Sequence, residues 1–355
     1  MANIVPAHQA LAFHHASHIP QEVWSALWEN EAAANVILSF ALKAKKLPQG
    51  GAHDHLWIAQ YDGARNVEFV LSCTRGPVDN YPIFIVPSAS FARAIREGMN
   101  DQDLDHALLP LVQCLRNEVD PQRVFSVFSI ARMTERFAEV FVTQAHADGA
   151  NDIEALQPPY YDATFTFCTR ETLNASLPPP LEDSEGVSIA LCRADTSHLE
   201  QVKNLCIAFS KTSPPYQLDD ARARLEADAM IANEHVWVHS IQRQGQAPEM
   251  ACLVATTRES NHVTAVTKVF TAAHSRGLGC APRLLHRVCT EILHSPGEKR
   301  VVLYVGNAKE MEPARRLYHK IGFQGLNGPQ SQVQPMEGVE RWLEIGFQGT
   351  ALGYW

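Results

Sequence analysis

The chain has 355 residues, room for two compact domains that each bury a core. Its 46% hydrophobic and 19% charged residues describe a globular protein throughout. A net charge of −9 supplies no global field for nucleic acid or an anionic membrane, so any anionic ligand must be held locally.

Eight cysteines fall at positions 73, 114, 168, 192, 206, 252, 280 and 289 without a C-x-x-C pair. Several lie inside apolar runs, which reads as buried free thiols in a reducing compartment. Met1-Ala2-Asn3-Ile4-Val5-Pro6 lacks the basic and apolar regions of a signal peptide, and no apolar run is long enough to cross a bilayer. The expectation is a soluble cytoplasmic protein.

In chain order, Val23, Leu27, Ala34, Ile37, Leu38 and Leu42 predict a helix from Gln21 to Lys46 that stops before Pro48-Gln49-Gly50-Gly51. Short β-rich runs follow at Leu56 to Ala59, Val67 to Leu71 and Ile83 to Val86, with Asp62-Gly63 as a hairpin signal. A helix over Leu104 to Glu118, a strand at Val124 to Phe128, a helix over Thr134 to Val142 and a strand at Thr164 to Phe167 complete the first half. The stretch 176–186, with Pro178-Pro179-Pro180 and Glu182-Asp183-Ser184-Glu185, breaks every period and reads as a linker between domains 1–175 and 187–355.

Beyond the linker, a strand at Val187 to Cys192 precedes helices over Ser197 to Phe209 and Asp219 to Ala232. Strands at Val236 to Ile241, Ala251 to Thr256 and Val263 to Thr271 lead into a helix over Ala281 to Leu293. A strand at Val301 to Val305, a helix over Met311 to Ile321 and a strand at Trp342 to Phe347 finish the chain. The fold class is α/β with a mixed sheet. Both halves run helix, three strands, helix, strand, helix, strand, so an internal duplication is expected rather than a chance recurrence of mixed order.

Arg276-Gly277-Leu278-Gly279-Cys280-Ala281 joins a β-branched strand to a helix. Loop N–H groups and the unpaired N–H groups of a first helical turn converge on one spot, where the helix dipole also favours negative charge. Gly277 and Gly279 give the loop its backbone freedom, and Arg276 adds a permanent cation. A phosphate group fits such a site. At the equivalent position the first half has Pro87-Ser88-Ala89-Ser90-Phe91, with no comparable cradle.

The loop resembles the Q/R-x-x-G-x-G/A motif of the GNAT superfamily of acyl-coenzyme A dependent N-acyltransferases. Downstream, Ala314-Arg315-Arg316-Leu317-Tyr318-His319-Lys320-Ile321-Gly322-Phe323 is similar to that family's A-x-x-L-Y-x-x-x-G-F. The resemblance spans roughly Val187 to Phe347; the first half shares the element order and reads as a degenerate GNAT-like copy. It implies a GNAT-type fold with acetyl-CoA as co-substrate and no metal. Val269 and Thr271 would face the pantetheine arm, with Phe270 between them also in the cofactor site, and Arg276, Gly277, Leu278, Gly279, Cys280 and Ala281 would face the pyrophosphate. Tyr318 would be the general acid that protonates the leaving thiolate. Where the family often carries an asparagine this chain has Met311, and Asn307 stands one turn earlier as its replacement. Pro282, lacking an N–H, removes one donor from the first helical turn.

The implied activity is transfer of an acetyl group to a primary amine by direct attack. The competing reading is a non-catalytic acyl-CoA-binding or interaction protein on a duplicated GNAT scaffold. Candidate general bases are Glu234, His239, His262 and Glu344, with none preferred. Ser210 to Asp220, with Tyr216, is either an acceptor-pocket wall or a proline-stiffened loop. His14, His15 and His18, like His53-Asp54-His55, read as solvated histidines rather than metal ligands. The expected partner is a small-molecule or peptide amine, without nucleic acid or membrane, acting on a monomer or homodimer.

Overall fold

The computed structural model describes residues 8–46, 55–176, 187–326 and 336–355. Met1 to Pro6, Pro48 to Gly51, His53, Asp54 and residues 177–186 of the expected linker lie outside the described residues. The chain forms two compact units, Met1–Ala163 with Arg341–Trp355, and Thr164–Glu340. Two segments therefore group differently from the division at 176–186: the strand from Thr164 goes with the second unit and the C-terminal strand with the first.

The elements run β1 (Gln9–Phe13), α1 (Gln21–Glu29), α2 (Glu31–Ala44), β2 (Leu56–Tyr61), β3 (Val67–Cys73), β4 (Ile83–Pro87), α3 (Ala89–Arg96), α4 (Asp101–Glu118), β5 (Ser126–Ile130), α5 (Ala131–Ala147) and β6 (Tyr161–Cys168). Then come β7 (Val187–Arg193), α6 (Leu199–Ser210), α7 (Asp220–Ala232), β8 (Val236–Arg243), β9 (Glu249–Ala255), β10 (Arg258–Glu259), β11 (Val263–Ala265) and β12 (Lys268–Thr271). The last are α8 (Cys280–Leu293), β13 (Arg300–Gly306), α9 (Glu312–Ile321) and β14 (Glu340–Gly346). The helix expected from Gln21 to Lys46 is two helices. It breaks at Asn30, whose side-chain amide donates to the Pro87 carbonyl at 3.0 Å. A short polar side chain that bonds a distant backbone group competes with helix continuation.

In the first unit the strands are ordered β1-β2-β3-β4-β5-β14. The hairpin at Asp62 holds as expected, its carboxylate accepting from the Ala64 and Asn66 N–H groups at 2.8 and 2.7 Å. Strands β4 and β5 are parallel but pair only at Ile83 with Val127 and Phe84 with Phe128, and then diverge. β14 runs antiparallel to β5, from Trp342 opposite Ile130 to Gly346 opposite Ser126. Trp57, Phe69, Phe84, Phe128, Phe137 and Trp342 are fully buried and fill the core.

The second unit has two sheets, β6-β13-β11-β10 and β12-β9-β8-β7. One face of the second sheet carries Trp237, Cys252, Val254 and Val269, which pack with Leu284, Leu285, Val288 and Cys289 of α8. On the other face α6 packs on β9, β12 and α7. Of the expected buried thiols, Cys192 is exposed, on a strand that is exposed along most of its length, and Cys114 is half-buried; the remaining six are buried. Among the described residues no helix is long and apolar enough to cross a membrane.

Candidate active site

The run Val263 to Thr271 reads as one strand but is two. β11 pairs parallel with β13, Val263 opposite Arg300 to Ala265 opposite Val302, and the Val266 N–H still donates to the Val302 carbonyl. The next N–H, of Thr267, donates instead to the Ala255 carbonyl of β9. From there β12 belongs to the other sheet while β13 continues to Gly306, so a wedge opens between them.

β12 pairs antiparallel with β9, Lys268 opposite Ala255 to Thr271 opposite Cys252, and the Ala272 N–H donates to Ala251. Antiparallel alternation then directs the N–H and C=O groups of Lys268 and Phe270 to β9, and those of Val269 and Thr271 away from it, into the wedge. The Arg276 Nε, 3.5 Å from the Thr271 carbonyl oxygen, approaches from that open side. Side chains alternate too. Val269 packs toward α8, while Phe270 meets Phe209 edge-on at 6.0 Å on the α6 side.

The chain leaves β12 through a single 3-10 turn, Ala273–Ser275, and enters α8 at Gly279, which has φ +72° and offers no side-chain cap. Gly277 is also left-handed, at φ +82°. A capping Ser or Asp would satisfy a first-turn N–H; glycine leaves Cys280 and Ala281 N–H groups directed outward. Pro282, the third residue of α8, contributes none. Arg276, exposed beside this end, supplies positive charge. The donor set suits a diphosphate.

Sequence reasoning missed Arg283. Its Nη1 donates to the Leu278 carbonyl at 2.7 Å and lies so close to Gly279 that a methyl there would come within 2.8 Å of it. It braces the loop from one turn inside the helix. The signal was spacing, since a residue four places after the N-cap shares its face.

Tyr318 on α9 is 8% exposed, edge-on to Phe323 at 5.8 Å. Burial, and then the neighbouring Cys252 and Cys289 thiols, push its phenol well above the ordinary range. Cys252 is the partner of Thr271 across β9 and β12, and its thiol bonds the Thr271 side chain. The phenol therefore sits at the level of the wedge, on its α8 side. Its hydroxyl has no hydrogen-bond partner among the described residues.

Asn307 follows β13, and its carbonyl accepts from Thr164 Oγ1 at 2.7 Å and Arg315 Nη1 at 3.1 Å, a link among β6, β13 and α9. Met311 ends an exposed turn before α9. The four base candidates do not converge. Glu234 is exposed and bound by Arg193 at 3.3 Å, and His262 is exposed at the start of β11. His239 is completely buried, its pKa lowered by burial and by Arg283. Glu344 lies in the first unit, buried, accepting from Ser126 Oγ at 2.6 Å and Trp355 Nε1 at 3.0 Å. Tyr216 is buried rather than lining an open wall. Among the described residues no group of histidines, cysteines and carboxylates could hold a metal ion. His14 instead pairs with Glu118 at 3.1 Å, and His15 with Ser17.

Residues 202–323 match the acetyltransferase (GNAT) family. The matched stretch lies within the second unit. No curated protein sequence matches the chain. Among solved structures, a tandem GNAT protein from the clavulanic acid biosynthesis pathway, determined without acetyl-CoA, aligns over 97% of this chain and 100% of its own at 12% identity, TM-score 0.50. A GCN5-related glucosamine N-acetyltransferase region of a fungal multi-domain β-N-acetylglucosaminidase covers 97% of this chain and 38% of that one, at 11% identity and TM-score 0.50. A GCN5-related N-acetyltransferase from Sphaerobacter thermophilus covers 95% and 94%, at 12% identity and TM-score 0.48. At these identities the likeness is one of fold: the chain has the fold of a tandem GNAT protein.

The first unit differs from the second at the strands that diverge. Its divergence between β4 and β5 is bridged by Ser129 Oγ, which donates to the Ile85 carbonyl at 2.6 Å. Its helix α3 starts behind Ser88, whose side chain accepts from the Phe91 N–H. Backbone groups left open at β12 and α8 are satisfied here by two serine hydroxyls.

Proposed function

We propose that the chain is an N-acetyltransferase that moves an acetyl group from acetyl-CoA to a primary amine. The observation that carries this reading is the departure of β12 from β13, which turns the Val269 and Thr271 backbone into a wedge ending at the uncapped start of α8. Acetyl-coenzyme A, when bound, would supply an activated thioester. Val269 and Thr271 orient its arm by main-chain hydrogen bonds, and the 276–281 amides with Arg276 hold its diphosphate. Phe270, turned toward α6, supports the strand from behind.

In transfer, the amine nitrogen bonds to the acyl carbon and the carbon–sulfur bond breaks. Tyr318 gives its phenolic proton to the departing sulfur, and the proton shed by the nitrogen restores the phenol. Tyr318, like any phenol, is protonated at neutral pH, and its burial keeps it so, which leaves it a proton to donate. The acceptor is a small-molecule or peptide amine. Release of free thiol from acetyl-CoA across an amine panel tests the activity. Tyr318→Phe is expected to lower kcat by about 10²–10³ while leaving coenzyme A affinity unchanged. Unaltered turnover removes Tyr318 as the acid. Tight coenzyme A binding with no turnover on any amine favours a non-catalytic acyl-CoA binder.

A further inference from the structure

β7 is the outermost strand of the sheet β12-β9-β8-β7, and among the described residues no strand pairs on its other side. It is 7 residues long and matches β8 without a bulge, from Val187 opposite Arg243 to Arg193 opposite Trp237. Open edges are normally guarded by proline, by lysine, by an inward-pointing charge or by a bulge. β7 has none of these and is uncharged up to its last residue, Arg193. Ser188, Ala190, Leu191, Cys192 and Arg193 are exposed, Leu191 being a large apolar side chain left 36% in water.

The Ala194 N–H donates to the Val236 carbonyl at 2.9 Å, so by antiparallel alternation the backbone groups of Ser188, Ala190 and Cys192 also face β8. Those of Val187, Ile189, Leu191 and Arg193 face the open edge. The side chains of these same residues lie on the α8 face of the sheet. Val187 packs on the core that holds Trp237 and Ile241, and Arg193 lies 4.4 Å from the Trp237 ring centre and 3.0 Å from Glu291 of α8. The apolar face therefore runs out through Ile189 and Leu191 to a line of hydrogen-bonding groups aimed outward.

The edge is complementary to itself. Turned about a two-fold axis through Ala190, a second β7 sets Val187 against Arg193 and Ile189 against Leu191, and each of these pairs can exchange both backbone bonds. An axis through Ile189 or Leu191 would leave Arg193 or Val187 unmatched. In the Ala190 register no like charges meet, because Arg193 faces Val187, and Ile189 with Leu191 makes an apolar cross-strand pair on each side of the axis. We propose that β7 is a self-association surface: two copies of this chain join edge to edge, antiparallel about Ala190, into one continuous sheet. A single strand pair is small for a specific interface, so the dimer is weak, with a Kd on the order of 10–100 µM.

Sedimentation equilibrium on the full chain with reductant, over concentrations that span this constant, should show a passage from monomer to dimer. Leu191→Pro removes an outward N–H and no bond to β8, so it should abolish the dimer while leaving the unfolding temperature of the dilute monomer unchanged. Leu191→Lys, which puts a charge on the edge without altering the backbone, should weaken association by about tenfold. A wild type that stays monomeric throughout overturns the proposal, as does a dimer that survives both substitutions. Disulfide trapping reads the register. The two Ala190 Cα atoms would lie about 4.5 Å apart, within reach of a disulfide, and the two Cys192 Cα atoms roughly 14 Å apart, beyond it. With oxidised glutathione, Ala190→Cys in a Cys192→Ser background should therefore cross-link into a covalent dimer, and wild type should not. Cross-linking of wild type through Cys192, with none from Ala190→Cys, overturns the strand pairing.

Discussion

Replacing Glu226 by Gln removes the carboxylate that holds Lys268, the first residue of β12, in the interior of the second unit. The Lys268 Nζ lies 3.1 Å from Glu226 Oε1, with the two side chains 8% and 12% exposed. Cys206 also bonds Glu226, and the Lys268 ammonium sits 5.1 Å from the centre of the Phe209 ring. Losing one partner of a buried pair leaves the other charge inside with less compensation, at a cost of about 3–5 kcal/mol. The Phe209 face returns part of this, on the order of 1 kcal/mol, so about 3 kcal/mol is expected. For a unit of this size that is a fall in unfolding temperature of about 6–12 °C, read by circular dichroism on the full chain. Glu226→Gln with Lys268→Met removes both charges and should return to within about 1 kcal/mol of wild type. A single-variant loss below about 1 kcal/mol, the range of an exposed pair, would refute burial as the source of the effect. So would a double variant no more stable than Glu226→Gln.

His239 is completely buried, and its pKa is lowered by burial and then by Arg283. The unfolded chain therefore binds this proton first, so the stability present above about pH 6.5 is lost as pH falls through the depressed folded value; His239→Leu should flatten that slope in urea unfolding measured from pH 7 to 5. Gly279→Ala should cost about 1–2 kcal/mol for its left-handed backbone, and its methyl must also push Arg283 off the Leu278 carbonyl. Gly277→Ala, with nothing within 4 Å of its added methyl, pays only the backbone cost, so coenzyme A affinity should fall further in the Gly279 variant; equal losses would rule out Arg283 as a brace. Because Ser88 and Ser129 satisfy the corresponding groups of the first unit, titration should give one coenzyme A per chain, and a second site of similar affinity would contradict that closure.

What could be read from the sequence was chemistry confined to a few consecutive residues. Gly277, Gly279 and the apolar period of α8 are adjacent, so the turn into the helix and its uncapped start follow from local backbone preferences alone. The same holds for the hairpin at Asp62. The division of Val263 to Thr271 was not legible, because Val266 and Thr267 are equally at home in either sheet. What separates them is that Val266 bonds Val302 and Thr267 bonds Ala255, partners far apart in the chain. Helix α3 was hidden because its first turn, Ala89-Ser90-Phe91, carries the signals of a loop as well as those of a cap. The strand at the C-terminus was found, but not its unit: apolar alternation fixes that Trp342 to Gly346 is a strand, while its pairing with β5 is decided by register.

The wedge and the loop therefore answer to different physics. The loop depends on two glycines and survives in any fold that offers a strand before it and a helix after. The wedge depends on a switch of hydrogen-bond partners at one peptide, and it exists only while β9 outcompetes β13 for Thr267. A chain that keeps the glycines and loses that switch would still bind an anion at α8, yet Val269 and Thr271 would be spent on a neighbouring strand. The first unit shows the complementary state: its strands diverge, but Ser129 and Ser88 have taken the backbone groups that divergence exposes. Divergence alone does not make a site, since it must also leave backbone groups unclaimed, as the capless glycine at the start of α8 does.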